Sequence, residues 1–329
     1  YFKKQALYSI GCLVMAIIES YFDYHLLQKI PMLIYFAAVV LMVLVKTPLG
    51  VTSHGARRWL KLGVQFQPAE VAKIAVIICL SYLIVKMGKR VKTLKASMVL
   101  LGVGGFQAFL AYWLTQNLST AIIIFGITVG LVFIAHPKTK PFILVAAVGV
   151  VLAALLVYVV SRMDVVEGSF RLRRILVWLN PEKYASEGGY QIMQALYAIG
   201  SGGFFGKGLG NSAQKMIIPE VQHDMILSII CEELGVFGAI MVMILFGMLL
   251  YRLLFIAQNA PDLYGSLIVT GIFAHIALQV ILNVMVVINC IPTTGITLPF
   301  ISYGGTSVLF LMAEMGLALG VSARIKIAE

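Results

Sequence analysis

Charge is scarce in this chain. Only 12% of its 329 residues are Asp, Glu, Lys or Arg, against 60% hydrophobic, and the mean hydropathy is +0.97. An ordinary soluble domain carries about twice that share of charge, so a water-soluble globule is excluded. Acids are scarcer still, 14 against 25 basic residues, a balance of +11. The long apolar runs leave no room for a folded basic domain, so the positive charge belongs in loops and nucleic acid is not an expected partner. Cysteine is sparse too: Cys12, Cys79, Cys231 and Cys290 lie far apart in apolar stretches with no CxxC spacing. That excludes a disulfide framework and a zinc site, and reads all four as small core residues.

Long apolar runs are what the chain has in abundance. A bilayer core about 30 Å thick takes roughly 20 apolar residues per helix. Nine such windows, at 6–22, 31–46, 68–86, 94–114, 117–135, 141–161, 225–251, 264–288 and 299–322, predict an all-α polytopic membrane helix bundle. It forms a single integral-membrane domain over residues 1–329. The first window carries Glu19 near its end, but no small-residue cleavage site follows it, which favours a span over a signal peptide. Eleven Lys and Arg residues fall in short loops on one side and six on the other, so the eleven-charge side is expected to be cytoplasmic. The C-terminus then lies inside, Tyr1 outside, and residues 162–224 form a large extracytoplasmic loop. A start outside, at Tyr1-Phe2-Lys3-Lys4, is what a chain lacking its first span would show.

Two outer segments are too polar to be mere connectors. The first, 46–68, gathers Arg57, Arg58, Trp59 and Lys61 at the membrane boundary. An interfacial tryptophan between cations is an ordinary depth anchor, and the same set is a cradle for a lipid phosphate, because arginine forks grip phosphate oxygens. The second is the 162–224 loop. Its glycines from Gly200 to Gly210 follow no strand and precede no correctly spaced lysine-serine pair, so they are not a nucleotide loop. They serve tight turns and close backbone approach. The spacing of 190–199 predicts a short amphipathic helix in the outer interface. Asp224 stands just before the apolar run MILSII. It reads either as an N-cap or as a general base at the mouth of the bundle. Glu232 and Glu233 lie about 12–14 Å deeper, and Glu70 and Lys73 share a helix face. Buried carboxylates need a partner or a polar path, so these four read as structural pairs or as an ion pathway.

The motifs GARRWLKLG, QPAEVAK, GYQIMQALYAIGSGGFFGKGLGNSAQK, IPEVQHDMILSIICEELG and PTTGITLPFISYGGTS, in that order, resemble the shape, elongation, division and sporulation (SEDS) family. The style of GARRWL and of 220–235 is closer to its cell-division branch, FtsW, and the sporulation relative than to the rod-shape branch, RodA. The resemblance implies ten transmembrane helices, with FKKQ at the start of the second. It implies polymerisation of lipid II into glycan strands outside the bacterial cytoplasmic membrane, beside a class B penicillin-binding transpeptidase and, in division, other divisome proteins. It makes Asp224 the family's essential outer aspartate and Trp59 with its arginines a second position important for activity. Two departures stand out: Gln222-His223-Asp224 where the family commonly reads HTD, and Gln116-Asn117-Leu118-Ser119-Thr120 where many carry an acidic PDLGT.

Glycan extension needs a deprotonated 4-hydroxyl and a lipid pyrophosphate leaving group. Asp224 is the expected base, giving inversion from an α-linked donor to a β-1,4 product. Arg57, Arg58, Arg171, Arg173, Arg174, Lys207 and Lys215 are the expected outer cations for the leaving group. No metal cage is legible, although a magnesium or manganese ion held mainly by the pyrophosphate needs few protein ligands. The substrate's tail calls for a groove, which Pro292–Gly305 is placed to line. A lipid or solute transporter would also carry the buried Glu70, Lys73, Glu232 and Glu233 and the interruptions at Pro292, Gly295 and Pro299. No internal repeat relates the halves, however. A noncatalytic scaffold for the transpeptidase is the third alternative.

Overall fold

The apolar runs become helices where local chemistry lets them start. Pro31, Pro68 and Pro141 open α2 (Pro31–Leu44), α3 (Pro68–Met87) and α6 (Lys140–Ser161), where a missing amide donor costs nothing. Thr93 caps α4 (Leu94–Trp113) through the Ala96 amide, and Asn117 caps α5 (Leu118–Ala135) through that of Thr120. Asp262 accepts from the Gly265 amide at 2.9 Å at the start of α10 (Leu263–Val287). With α1 (Phe2–Tyr21), α7 (Phe170–Leu179), α8 (Gly189–Gly202), α9 (Ile226–Asn259) and α11 (Gly305–Ser322), the chain is mostly helical. This computed structural model describes residues 2–53, 56–162 and 170–326.

Among the described residues seven helices are long and apolar enough to cross a membrane, and two shorter apolar helices occupy Gln5–Ser20 and Pro31–Leu44. The molecule is a multi-pass membrane protein. Several sequence-derived ends shift. Helix α9 runs on past Arg252 to Asn259, because a single arginine at a membrane edge does not end a helix. Helix α11 starts at Gly305 rather than 299, because Pro299 and a positive φ at Phe300 hold a turn there.

The all-α expectation needs one correction. Within 46–68 the chain forms a three-stranded antiparallel sheet: β1 (Gly50–Ser53), β2 (Ala56–Leu62) and β3 (Val64–Phe66), in the order β1-β2-β3. Val51 pairs Trp59 and Lys61 pairs Gln65, with a register shift after Val51. Gly63, at φ +82°, makes the tight β2–β3 turn. A search for 20-residue apolar windows passes over strands of three to seven residues. The 162–224 stretch is likewise not a plain loop: it contains α7 and the expected short helix, α8.

The chain divides into two compact units. One comprises Tyr1–Pro137, Met248–Gln279 and Tyr303–Glu329; the other comprises Lys138–Gly247 and Val280–Ser302. In the first, α1 packs along α11, and α3 packs against α2, α4 and α5, with Ala69, Ala72, Ala75, Val76, Cys79 and Leu80 fully buried. Gly104 lets α4 meet Thr128 of α5 more closely than a Cβ would allow. In the second, α6 contacts α7 and leaves most of its valines and leucines exposed, as a lipid-facing helix does.

Candidate active site

Asp224 ends the turn that leads into α9, in the second unit. The chain folds back through Glu220, at φ +50°, and the His223 amide donates to the Glu220 carbonyl at 2.9 Å. A carboxylate ahead of a helix ordinarily accepts that helix's first amides. Among the described residues no α9 amide donates to Asp224; its carboxylate bonds its own backbone N–H. The side chain is half-buried. Burial pushes its pKa above the usual aspartate value; its own N–H and the field of His223 pull it back, Glu220 adds to the rise, and Arg174 opposes it.

The backbone at Gly295 passes close to this carboxylate. A Cβ on Gly295, at φ +70°, would stand 4.0 Å from Asp224 Oδ2. The irregular stretch around Gly295 is held from two sides: Arg174 Nη1 donates to the Thr293 carbonyl at 3.1 Å, and Asn283 Nδ2 donates to the Ile296 carbonyl at 2.7 Å. The same Asn283 Nδ2 donates to the Asp224 carbonyl at 2.8 Å. Helix α7, which carries Arg174, is fastened by Trp178 Nε1 donating to the Asn289 carbonyl at 2.8 Å. Asp224, Arg174, Asn283 and Gly295 thus form one site. Arg174 is one of the charges that act on the Asp224 carboxylate, so the arrangement sets a proton acceptor in the field of a cation.

Other expected site residues in this unit are committed elsewhere. Glu232, fully buried, accepts from Lys207 Nζ at 2.7 Å, from Ser212 Oγ, and from the Ala213 and Gln214 amides at 3.2 Å. Lys215 lies 3.9 Å from Glu233 and donates to the Gly210 carbonyl. Lys207 and Lys215, expected as substrate cations, therefore neutralise the two deep carboxylates and tie the glycine-rich stretch to α9. Arg173 is exposed; the side chain of Arg171 lies outside the described residues.

The remaining candidates are in the first unit. Arg57 donates to the Gly50 and Lys46 carbonyls, each at 3.2 Å, and Arg58 to that of Gln116 at 3.3 Å. Trp59 is half-buried and Lys61 exposed. Lys73 Nζ meets Glu70 Oε2 at 2.9 Å and Gln279 Oε1 at 3.4 Å. His275 then joins Gln279 at 2.9 Å and Glu314 at 2.7 Å, so a buried polar chain links α3, α10 and α11. His275, Gln279, Glu314 and Asn283 escape the sequence reading. The signal was present, since His275, Gln279 and Asn283 recur every fourth residue in an apolar run, the spacing of one helix face. Among the described residues no group of three or more His, Cys, Asp or Glu is placed to hold a metal ion.

The profile of the FtsW/RodA/SpoVE family, described as cell cycle protein, matches residues 1–327. The chain belongs to this family. Stage V sporulation protein E of Bacillus subtilis (strain 168) is 38% identical over 97% of this chain and 86% of its own length. The probable peptidoglycan glycosyltransferase FtsW of Trichlorobacter lovleyi is 36% identical over 100% and 85%. Two solved structures are similar in fold at 24% identity. One is from a peptidoglycan synthase complex that coordinates polymerization and crosslinking, with a TM-score of 0.80 over 98% of this chain and 89% of that one. The other is the rod shape determining protein RodA of Thermus thermophilus, with a TM-score of 0.68 over 99% and 88%. The FtsW/RodA/SpoVE member described above thus has a RodA-like fold.

Proposed function

We propose that this chain is a peptidoglycan glycosyltransferase that polymerises lipid II into β-1,4-linked glycan on the outer face of the bacterial cytoplasmic membrane, in division or sporulation. The FtsW relative named as a probable peptidoglycan glycosyltransferase supports the reaction. The observation that carries the site is Asp224: a half-buried carboxylate that caps no helix among the described residues and lies in the field of Arg174.

Asp224 takes the proton from the acceptor sugar's 4-hydroxyl. The freed oxygen attacks the donor's anomeric carbon from the face opposite the pyrophosphate. The carbon–phosphate-oxygen bond breaks, the lipid pyrophosphate leaves, and α becomes β. Arg174, with Arg173 and Arg171 on the same helix, answers the charge that gathers on the leaving group. Lys207 and Lys215 are tied to the carboxylates of Glu232 and Glu233. Arg57, Arg58, Trp59 and Lys61 form a basic, aromatic edge suited to a lipid phosphate.

The same reading makes the chain one integral-membrane domain with nine crossings. Residues 162–224 lie outside, the C-terminus lies inside, and a class B penicillin-binding transpeptidase and other divisome proteins are partners. One observation favours a second reading: the buried chain Glu70–Lys73–Gln279–His275–Glu314 is what a transporter of lipid or solute also needs. Purified protein reconstituted with its transpeptidase partner and given lipid II separates the two. β-linked glycan polymer supports the glycosyltransferase; lipid crossing the bilayer with no polymer replaces it with transport.

A further inference from the structure

We infer that Asn283 is a positioning residue for the proton acceptor, an inference that rests on the reading of Asp224 as the general base. Asn283 sits in α10, fully buried. Its amide nitrogen has two protons and two acceptors: the Asp224 carbonyl at 2.8 Å and the Ile296 carbonyl at 2.7 Å. One side chain thus spans the turn that carries the carboxylate and the irregular segment that passes it at Gly295. Those segments are 59 and 13 residues away in sequence, so their mutual placement depends on this side chain far more than on chain connectivity.

Packing alone does not account for an asparagine here. Its Oδ1 is buried with no partner among the described residues, a standing cost that a leucine of similar volume would avoid. What leucine cannot do is donate twice. Neither carbonyl belongs to a regular helix ladder: Asp224 precedes α9 and Ile296 lies in irregular chain. Without the amide the carbonyls of half-buried Asp224 and buried Ile296 would both lack this donor, and both segments would be free to drift. Because Arg174 anchors the same stretch at Thr293, the drift would also change the distance between carboxylate and guanidinium. A misplacement near 1 Å is enough to slow a positioned reaction about 100-fold.

Asn283→Leu and Asn283→Gln test this in the full chain with its transpeptidase partner in bilayers, using lipid II and normalising to the folded fraction from size-exclusion profiles. For Asn283→Leu the expected result is kcat lower by about 10- to 100-fold with KM nearly unchanged. The acid limb of the pH profile should move toward that of an ordinary aspartate, because the released carboxylate gains water. Asn283→Gln, which keeps both protons, should recover part of the rate. A loss that vanishes on normalisation, or an acid limb that stays in place while kcat falls, overturns the inference and leaves Asn283 a packing residue. If Asn283→Leu does not fold, Asn283→Gln carries the same two readouts. Wild-type protein that makes no polymer overturns the glycosyltransferase reading, and polymer surviving Asp224→Ala overturns the base; both are read separately from the Asn283 variants.

Discussion

At the scale of single residues, the sign of the Asp224 shift has two consequences. Burial holds its pKa above that of a free aspartate, near 4, so the base becomes protonated at a higher pH than usual. The acid limb of kcat/KM should therefore lie above pH 4, and Arg174→Ala, which removes a field that lowers the pKa, should move it further up while cutting kcat by about 100-fold. A pH–rate series on both proteins checks this. Stability runs the other way. A carboxyl raised in the folded state binds its proton more tightly there than in the unfolded chain, so its ionisation weakens the fold as pH rises from the unfolded to the folded pKa. Asp224→Asn should thus melt no lower than wild type at neutral pH, and higher if anything, while losing activity. A side chain that stabilises the start of α9 would show the reverse.

At the scale of elements, the decisive device is a broken helix. Gly235 lies inside α9 at φ 72°, ψ −169°, a region open essentially to glycine alone. A Cβ there would come 2.3 Å from the Phe204 carbonyl oxygen, and one on Gly206 would come 2.2 Å from that of Glu233. The freed backbone groups do not go unmet. The amides of Lys207 and Gly208 donate to the carbonyls of Glu232 and Glu233, and those of Val236 and Phe237 to Gly203 and Phe204, as an irregular span in a bilayer requires. Gly235→Ala should cost about 1–3 kcal/mol from its backbone alone and more from the contact, seen as a lower melting temperature. The sequence marks Gly206 among glycines that serve close approach, but the break at Gly235 is not legible there, because the apolar run continues on both sides of it across 225–251. Helix α8 is legible because it is amphipathic, and β1–β3 are not because short strands leave no 20-residue signal.

At the scale of the molecule, composition already gave membrane class, and apolar runs located most helix ends to within a few residues, the end of α9 and the start of α11 excepted. The site was half legible. Asp224 stood out as an acid before an apolar run and Gly295 as a break in another, but their meeting and the bond from the Asn283 side chain to the Asp224 carbonyl did not, because contacts across 59 or more residues leave no periodicity to read. For orientation, cysteines placed at Asn211 and at Lys138 should react with impermeant maleimide from the outer and the inner side respectively; labelling on the opposite sides would invert the topology. The most direct test of the central claim is glycan polymer from lipid II, made by wild type and by Asp224→Ala, each purified with its transpeptidase partner and each shown to be folded. Long glycan from wild type and at least about 100-fold less from the variant is the expected result. Equal polymer from both would contradict it.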